Sequence, residues 1–127
     1  MQMGKFERAK EYFSKALLRN DRFLPAHYWL GKVHMSEGAY EKALQDFSSA
    51  IRIEPSFSAG YYELGRAYLK LENQDKAARA FREAVRLDPN SKIGIKAKRS
   101  LLLLPKDLPV KQASGPQGIE KNLSGGK

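Results

Sequence analysis

A repeat of 34 residues constrains the fold of this 127-residue chain more than any other feature. The positions that recur in two full copies are Leu30 and Leu64, Gly31 and Gly65, Ala43 and Ala77, Phe47 and Phe81, Ala50 and Ala84, and Pro55 and Pro89. A partial copy lies upstream at Ala9, Phe13 and Ala16. A period of this length predicts a solenoid of stacked helices, in which each unit buries its apolar face against its neighbours. The repeat therefore favours a binding scaffold over an enzyme.

The composition is that of a globular chain with an excess of positive charge. Hydrophobic residues make up 42% of the chain, and 23 lysines and arginines outnumber 14 acidic residues to give a net charge of +9. This excess favours anionic partners, namely acidic peptides, nucleic acid or an anionic membrane surface. Many lysines alternate with acidic residues on outward helix faces, which is also typical of an ordinary solvated surface.

The sequence contains no predicted membrane span and no signal peptide. The longest run of large aliphatic residues is 101–104, whereas a span needs about 20 apolar residues. Residues 1–7 lack the apolar core of a signal peptide. Cysteine is absent, which excludes disulfides and thiolate metal sites and suits a reducing compartment. We therefore expect a cytoplasmic location, or a nuclear one in a eukaryote.

Apolar residues at helical spacing predict six helices. The expected spans are about 4–20, 25–37, 40–53, 58–71, 74–87 and 92–104. Pro25 suits the first turn of the second helix, and Pro55 ends the third. Ser56 or Ser58 is expected to cap the fourth helix, and Ser91 to cap the sixth.

The chain changes character after the last predicted helix. Proline, glycine, serine and glutamine replace the apolar period, so we expect residues 105–127 to be a disordered tail or a linker. Residues 1–104 form the predicted helical repeat domain. Its units are a half repeat at 1–23, full repeats at 24–57 and 58–91, and a capping helix at 92–104.

These motifs resemble the tetratricopeptide repeat (TPR) family. The family pattern places an aromatic residue, Leu-Gly and Tyr in the first helix of each unit, then Ala, an aromatic residue, Ala and a closing Pro. The second full copy has these residues at Tyr61, Leu64, Gly65, Tyr68, Ala77, Phe81, Ala84 and Pro89. The first copy differs by His27 and His34 at aromatic positions, and the second has Glu72 and Gln74 in the turn where the family has glycine and an aromatic residue.

The resemblance covers about residues 1–90 and implies both a fold and a function. The implied fold is all-α, a right-handed superhelical solenoid of antiparallel helix pairs. The implied function is a non-catalytic protein–protein interaction scaffold that binds a partner peptide or helix in a concave groove lined by the first helix of each repeat. The partner is expected to carry an acidic and apolar peptide segment.

Groove positions carried over from the family define the candidate ligand-binding residues. These are Tyr28, Trp29, Lys32, Met35 and Ser36 in the first repeat, Tyr62, Glu63, Arg66, Leu69 and Lys70 in the second, and Lys96 and Ser100 in the capping helix. Lys32 and Arg66 are equivalent positions one repeat apart and are expected to form a cationic ladder for carboxylates or phosphates. Tyr28 and Tyr62 form a parallel aromatic ladder or pad the interface between repeats.

Catalytic and metal-binding patterns are absent from the sequence, so we expect neither an enzyme nor a cofactor. His27 and His34 lie seven residues apart, not at the four-residue spacing of a helical zinc pair, which favours a packing role. The acidic residues Asp46, Glu63 and Glu83 show no evident pairing. Glu63 also occupies a position where some family members carry an asparagine that holds the acidic tail of a chaperone, so that clamp is not expected here.

Two other functions remain open at the level of sequence. Lys92, Lys96, Lys98 and Arg99, with the basic tail, are compatible with single-stranded nucleic acid. Self-assembly is the other possibility, because the first helix has no preceding partner for its apolar face and the chain could associate through its open repeat ends.

Overall fold

The computed structural model describes residues 2–105 and contains six helices. They are α1 (Gln2–Arg19), α2 (Leu24–Ser36), α3 (Tyr40–Ile53), α4 (Ser58–Lys70), α5 (Gln74–Leu87) and α6 (Lys92–Leu103). No strand occurs within these residues, and the predicted all-α fold is confirmed. Residues 106–127, nearly all of the predicted tail, lie outside the described part of the chain.

Local residues account for the starts of α2 and α6. Pro25 lies in the first turn of α2, and the Ser91 hydroxyl accepts a hydrogen bond from the Gly94 amide at 3.0 Å. The expected serine cap of α4 is wrong, because its N-cap residue is Phe57 and no side chain caps it. Ser58 already lies inside the first turn, and the Ser56 hydroxyl donates to Glu54 instead.

The helices stack as a solenoid of hairpins. The first hairpin pairs α2 with α3, and the second pairs α4 with α5. The second hairpin packs through α4 on α3, and α6 packs on α5. The helices α2 and α4 also contact each other, as do α4 and α6, so these three helices form one continuous layer.

Two phenylalanines fill the centres of the two hairpins. Phe47 and Phe81 are fully buried at equivalent positions of the repeat. A Cβ atom built on Gly31 would lie 2.5 Å from the Phe47 ring, and one built on Gly65 would lie 2.6 Å from the Phe81 ring. Glycine is therefore required where each ring crosses the facing helix, as the repeat pattern predicts.

The helix α1 is packed more loosely than its counterparts. Its repeat positions Ala9, Phe13 and Ala16 are half-buried, whereas the equivalent alanines and phenylalanines of α3 and α5 are fully buried. It packs on α2 and is joined to the end of that helix by an ion pair between Lys10 and Glu37, with 3.0 Å from Nζ to Oε2. The apolar face of α1 thus remains partly uncovered, as the sequence predicts.

Candidate ligand-binding face

The layer of α2, α4 and α6 brings together most of the candidate binding residues. We call this the inner face and define it by the side chains that contact one another across the three helices. Its members are Tyr28, Trp29, Lys32, Tyr62, Glu63, Arg66 and Lys96.

A buried carboxylate lies at the centre of the inner face. The Lys32 ammonium donates to Oε2 of Glu63 at 3.2 Å, which joins α2 to α4. Arg66 donates to Oε1 of the same carboxylate at 2.9 Å. The Glu63 side chain is 4% exposed, whereas those of Lys32 and Arg66 are 35% and 43% exposed. The two cations therefore shield a charge that would be costly to bury alone.

This arrangement corrects the predicted cationic ladder. Lys32 and Arg66 do not present two independent positive charges, because both are bound to Glu63. The three side chains carry one net positive charge together. Each cation keeps donor groups directed away from Glu63, since an ammonium has three and a guanidinium five. Glu63 therefore does not use all the hydrogen-bond donors of the two cations.

The aromatic residues of the inner face divide into packed and accessible ones. Tyr28 lies 5.2 Å from the Phe57 ring and 6.0 Å from the Phe47 ring, and Tyr62 lies 5.8 Å from the Phe81 ring. Both tyrosines thus pack against phenylalanines of the repeats. Burial raises the pKa of Tyr28, and the charge of Glu63 adds to the effect. Trp29, in contrast, is 47% exposed and packs edge-on against Tyr28.

Lysine side chains cover these rings. The Lys32 ammonium lies 5.8 Å from the centre of the Tyr28 ring and 5.9 Å from that of Trp29. The Lys96 ammonium lies 5.9 Å from the Tyr62 ring, which brings α6 into the same face. Cations at this range are attracted by the ring quadrupole, so the aromatic and basic groups form one mixed surface.

The remaining candidates contribute less clearly to this surface. Met35 and Leu69 are half-buried, and Leu69 packs against the cluster around Phe81. Lys70 and Ser36 are exposed, and Ser100 is half-buried. These five residues take no part in the ion pairs and cation–aromatic contacts that define the inner face in the described part of the chain.

The structure pairs acidic residues for which the sequence showed no evident partner. His34 Nδ1 lies 2.5 Å from Oδ2 of Asp46, joining α2 to α3, and Arg86 donates to Glu83 within α5. Burial raises the pKa of Asp46, and the hydrogen bond to His34 acts in the opposite direction. A signal for the first pair was available, because the first repeat is polar at both positions where the second has Tyr68 and Ala80.

The two histidines have separate partners. His27 donates from Nε2 to the carbonyl of Asp21 at 2.8 Å, while His34 binds Asp46. Within the described residues, no cluster of histidine and carboxylate side chains is suited to a metal ion. None of the helices between residues 2 and 105 combines the length and apolar character needed to cross a membrane.

Stacked hairpins whose glycines face buried phenylalanines define a tetratricopeptide repeat protein. The sequence pattern of the tetratricopeptide repeat matches residues 1–56, which confirms the resemblance. A second pattern, described as "Regulator of microtubule dynamics protein 1-3", matches residues 34–106, more than half of the chain. The chain therefore belongs to the family of regulators of microtubule dynamics proteins 1–3.

Solved structures give the same fold. MamA from Desulfovibrio magneticus RS-1 is 31% identical with a TM-score of 0.69, over 79% of this chain and 55% of MamA. PcrH, solved with the chaperone binding region of PopD, is 23% identical with a TM-score of 0.73, over 80% of this chain and 79% of PcrH. YrrB, described as having an unusual peptide-binding site, is 23% identical with a TM-score of 0.69, over 77% of this chain and 50% of YrrB.

The chain thus spans about half the length of MamA, and its likeness to PcrH and YrrB concerns the fold alone. A search of the curated proteins gave no significant match. Membership of the TPR class makes the chain a protein–protein interaction scaffold, and such scaffolds are generally non-catalytic.

Proposed function

We propose that the protein binds an acidic and apolar peptide segment of a protein partner on its inner face and has no catalytic activity of its own. The observation that carries this proposal is Trp29. This large aromatic side chain is about half exposed on α2, next to the ammonium of Lys32. Exposed tryptophans beside cations are typical of the residues that dominate binding energy at protein interfaces.

The charges of the inner face suit a ligand with spaced carboxylates. Lys32 and Arg66 share one net positive charge with Glu63, and Lys96 adds another over the Tyr62 ring. One acidic side chain of the ligand would contact Lys32 and Arg66, and a second would contact Lys96. An apolar ligand residue would cover Trp29. If two adjacent carboxylates of the ligand lay next to Lys32 and Arg66, the negative charge of Glu63 would repel them.

The family suggests where such a partner acts. The matching family is described by its role in microtubule dynamics, so we propose that the partner belongs to the machinery that controls microtubules. A cytoplasmic location is part of this proposal and is supported by the absence of cysteine from the chain.

Titration of the protein with short peptides tests the inner face directly. Trp29 is the only tryptophan, so its emission reports on this face alone. We expect peptides with spaced glutamates and leucines to change the emission, and the same peptides with lysine in place of glutamate to leave it unchanged. Unchanged emission with every acidic peptide, including that of a captured native partner, would contradict the proposal.

The choice of variants follows from the central carboxylate. Reversing the charge of both Lys32 and Arg66 would leave Glu63 buried among negative charges and would unfold the domain. Trp29→Ala avoids this problem and is expected to weaken peptide binding by about tenfold or more. Tyr12→Ala is the matched control, because Tyr12 is an exposed aromatic residue on α1, away from the inner face. Equal losses in the two variants would argue against the inner face as the site.

Salt dependence distinguishes nucleic acid from a peptide ligand. Of Lys92, Lys96, Lys98 and Arg99, Lys96 is the one that lies over an aromatic ring in the described part of the chain. A single lysine beside a ring supports the stacking of nucleic-acid bases less than it supports the binding of a peptide. Tight binding of single-stranded RNA with a steep salt dependence would favour the nucleic-acid alternative.

A further inference from the structure

A second surface feature lies outside the inner face, on the hairpin of α4 and α5. It is an open cavity of about 410 Å³, which we call the hairpin cavity. Tyr61, Leu64 and Tyr68 line it from α4, and Lys76 and Arg79 line it from α5. None of the side chains that define the inner face lines this cavity. Its volume lies in the range of known ligand sites, which are mostly apolar with a few polar groups.

The charged residues at the cavity differ in whether they have a hydrogen-bond or ion-pair partner. Glu83, its acidic member, accepts hydrogen bonds from Arg86, and this interaction lowers the pKa of Glu83. The Lys76 ammonium lies 5.8 Å from the Tyr68 ring. Arg79 is exposed and has neither a hydrogen bond nor an ion pair within the described part of the chain. The cavity therefore presents an unpaired guanidinium beside two aromatic side chains and a leucine.

The first hairpin also has an open cavity, of about 400 Å³, but α3 alone lines it and no aromatic side chain among the described residues does. The positions equivalent to Tyr68 and Ala80 are His34 and Asp46, which bond to each other at 2.5 Å. Neither His34 nor Asp46 lines the cavity of the first hairpin, whereas Tyr68 and Ala80 both line that of the second. The position equivalent to Arg79 is Gln45, which carries no charge. The aromatic lining and the guanidinium without a hydrogen bond among the described residues thus distinguish the cavity of the second hairpin from that of the first.

We propose that the hairpin cavity is a second binding site, which takes an acidic peptide segment with an aliphatic residue next to a carboxylate. The aliphatic side chain would pack on Tyr61, Leu64 and Ala80, and the carboxylate would pair with Arg79. An extended ligand suits the cavity because the cavity is open and its basic residues Lys76 and Arg79 lie three positions apart along α5. A partner held here leaves the inner face free for another segment.

Matched charge reversals test this assignment with a fluorescently labelled peptide of alternating glutamate and leucine. Arg79→Glu is expected to weaken binding at the cavity by about tenfold or more. Arg82→Glu changes the same charge on an exposed residue of the same helix that does not line the cavity, and should weaken it by less than about twofold. Arg79→Gln introduces the residue that the first repeat has at this position. Its loss of binding should lie between the losses of the two charge reversals.

Amide chemical shifts separate this site from the inner face. We expect the peptide to shift signals of Tyr61, Tyr68 and Arg79, and these shifts should persist in the Trp29→Ala variant. Equal weakening by Arg79→Glu and Arg82→Glu would overturn the proposal, as would shifts confined to α2 and α6. Binding of single-stranded RNA, but not of the peptide, in an Arg79-dependent manner would assign the cavity to nucleic acid and equally overturn it.

Discussion

The Lys32 ammonium of α2 lies 3.2 Å from the carboxylate of Glu63 on α4, and this contact joins the two repeats across their inner face. Arg66 holds the other oxygen of the same carboxylate. The three side chains differ in burial, because the carboxylate of Glu63 is almost inaccessible to water whereas both cations are partly exposed to water. The cost of removing each partner should therefore differ.

The double variant Lys32→Met/Arg66→Met leaves Glu63 buried without a partner. We expect it to lower the free energy of unfolding by about 3 to 5 kcal/mol. Glu63→Gln leaves two cations that water can solvate, and should cost only about 1 kcal/mol. The triple variant, which combines the three changes, should recover much of the loss. Chemical denaturation measures the free energy of unfolding of all three variants. Equal losses for the double variant and Glu63→Gln would refute the asymmetry.

Equivalent phenylalanines in different repeats should differ in their contribution to stability. Phe47 is fully buried and Phe13 is half-buried, although both occupy the same position of the repeat. We expect Phe47→Ala to cost about 3 to 5 kcal/mol, and Phe13→Ala about 1 to 2 kcal/mol, since less apolar area is lost. Thermal and chemical unfolding curves give both values. A Phe13→Ala loss as large as that of Phe47→Ala would mean that α1 is covered in solution, for instance by a second copy of the chain.

The glycine at the helix crossing of the second hairpin should not tolerate a side chain. A Cβ at Gly65 would meet the Phe81 ring, whereas one at Gly4 on α1 would meet nothing within 4 Å. Gly65→Leu is expected to lower the melting temperature by several degrees or more, because overpacking costs about 1 to 3 kcal/mol. Gly4→Leu is the control and should leave it unchanged or slightly raised. An unaltered melting curve for Gly65→Leu would refute the close approach.

The raised pKa of Asp46 should appear in the pH dependence of stability. Burial raises it above the ordinary value of 3.8, so the folded chain binds a proton at a pH where the unfolded chain has lost it. The contribution of Asp46 therefore falls as the pH rises from about 3.8 through the raised value. Relative to Asp46→Asn, the wild type should lose stability over this range. The opposite slope would show that the bond to His34 outweighs burial.

The sequence was sufficient to predict the helices because their signals are local. Apolar spacing and Pro25 placed α2, and the repeat glycines indicated where Phe47 and Phe81 cross the facing helices. The candidate site was predicted less completely. Its residues were identified by repeat position, but a register cannot show that Lys32 and Arg66 turn toward the same carboxylate.

Contacts between different helices account for the rest of what the sequence missed. The bond between His34 and Asp46 depends on how α2 and α3 face each other, although the paired polar substitutions in the first repeat were a readable hint. The hairpin cavity is lined from both α4 and α5, so it depends on how these two helices pack.

Site-specific photo-crosslinking tests the central claim, that a peptide of the partner lies across the inner face. A photoreactive phenylalanine analogue would be placed in turn at Trp29, at Lys96 and, as an exposed control on α1, at Lys15. The proposal predicts that one partner protein is captured from native lysate at both inner positions and not at Lys15, and that acidic peptide competes with it. Capture at Lys15 with none at Trp29 or Lys96 would contradict the proposal.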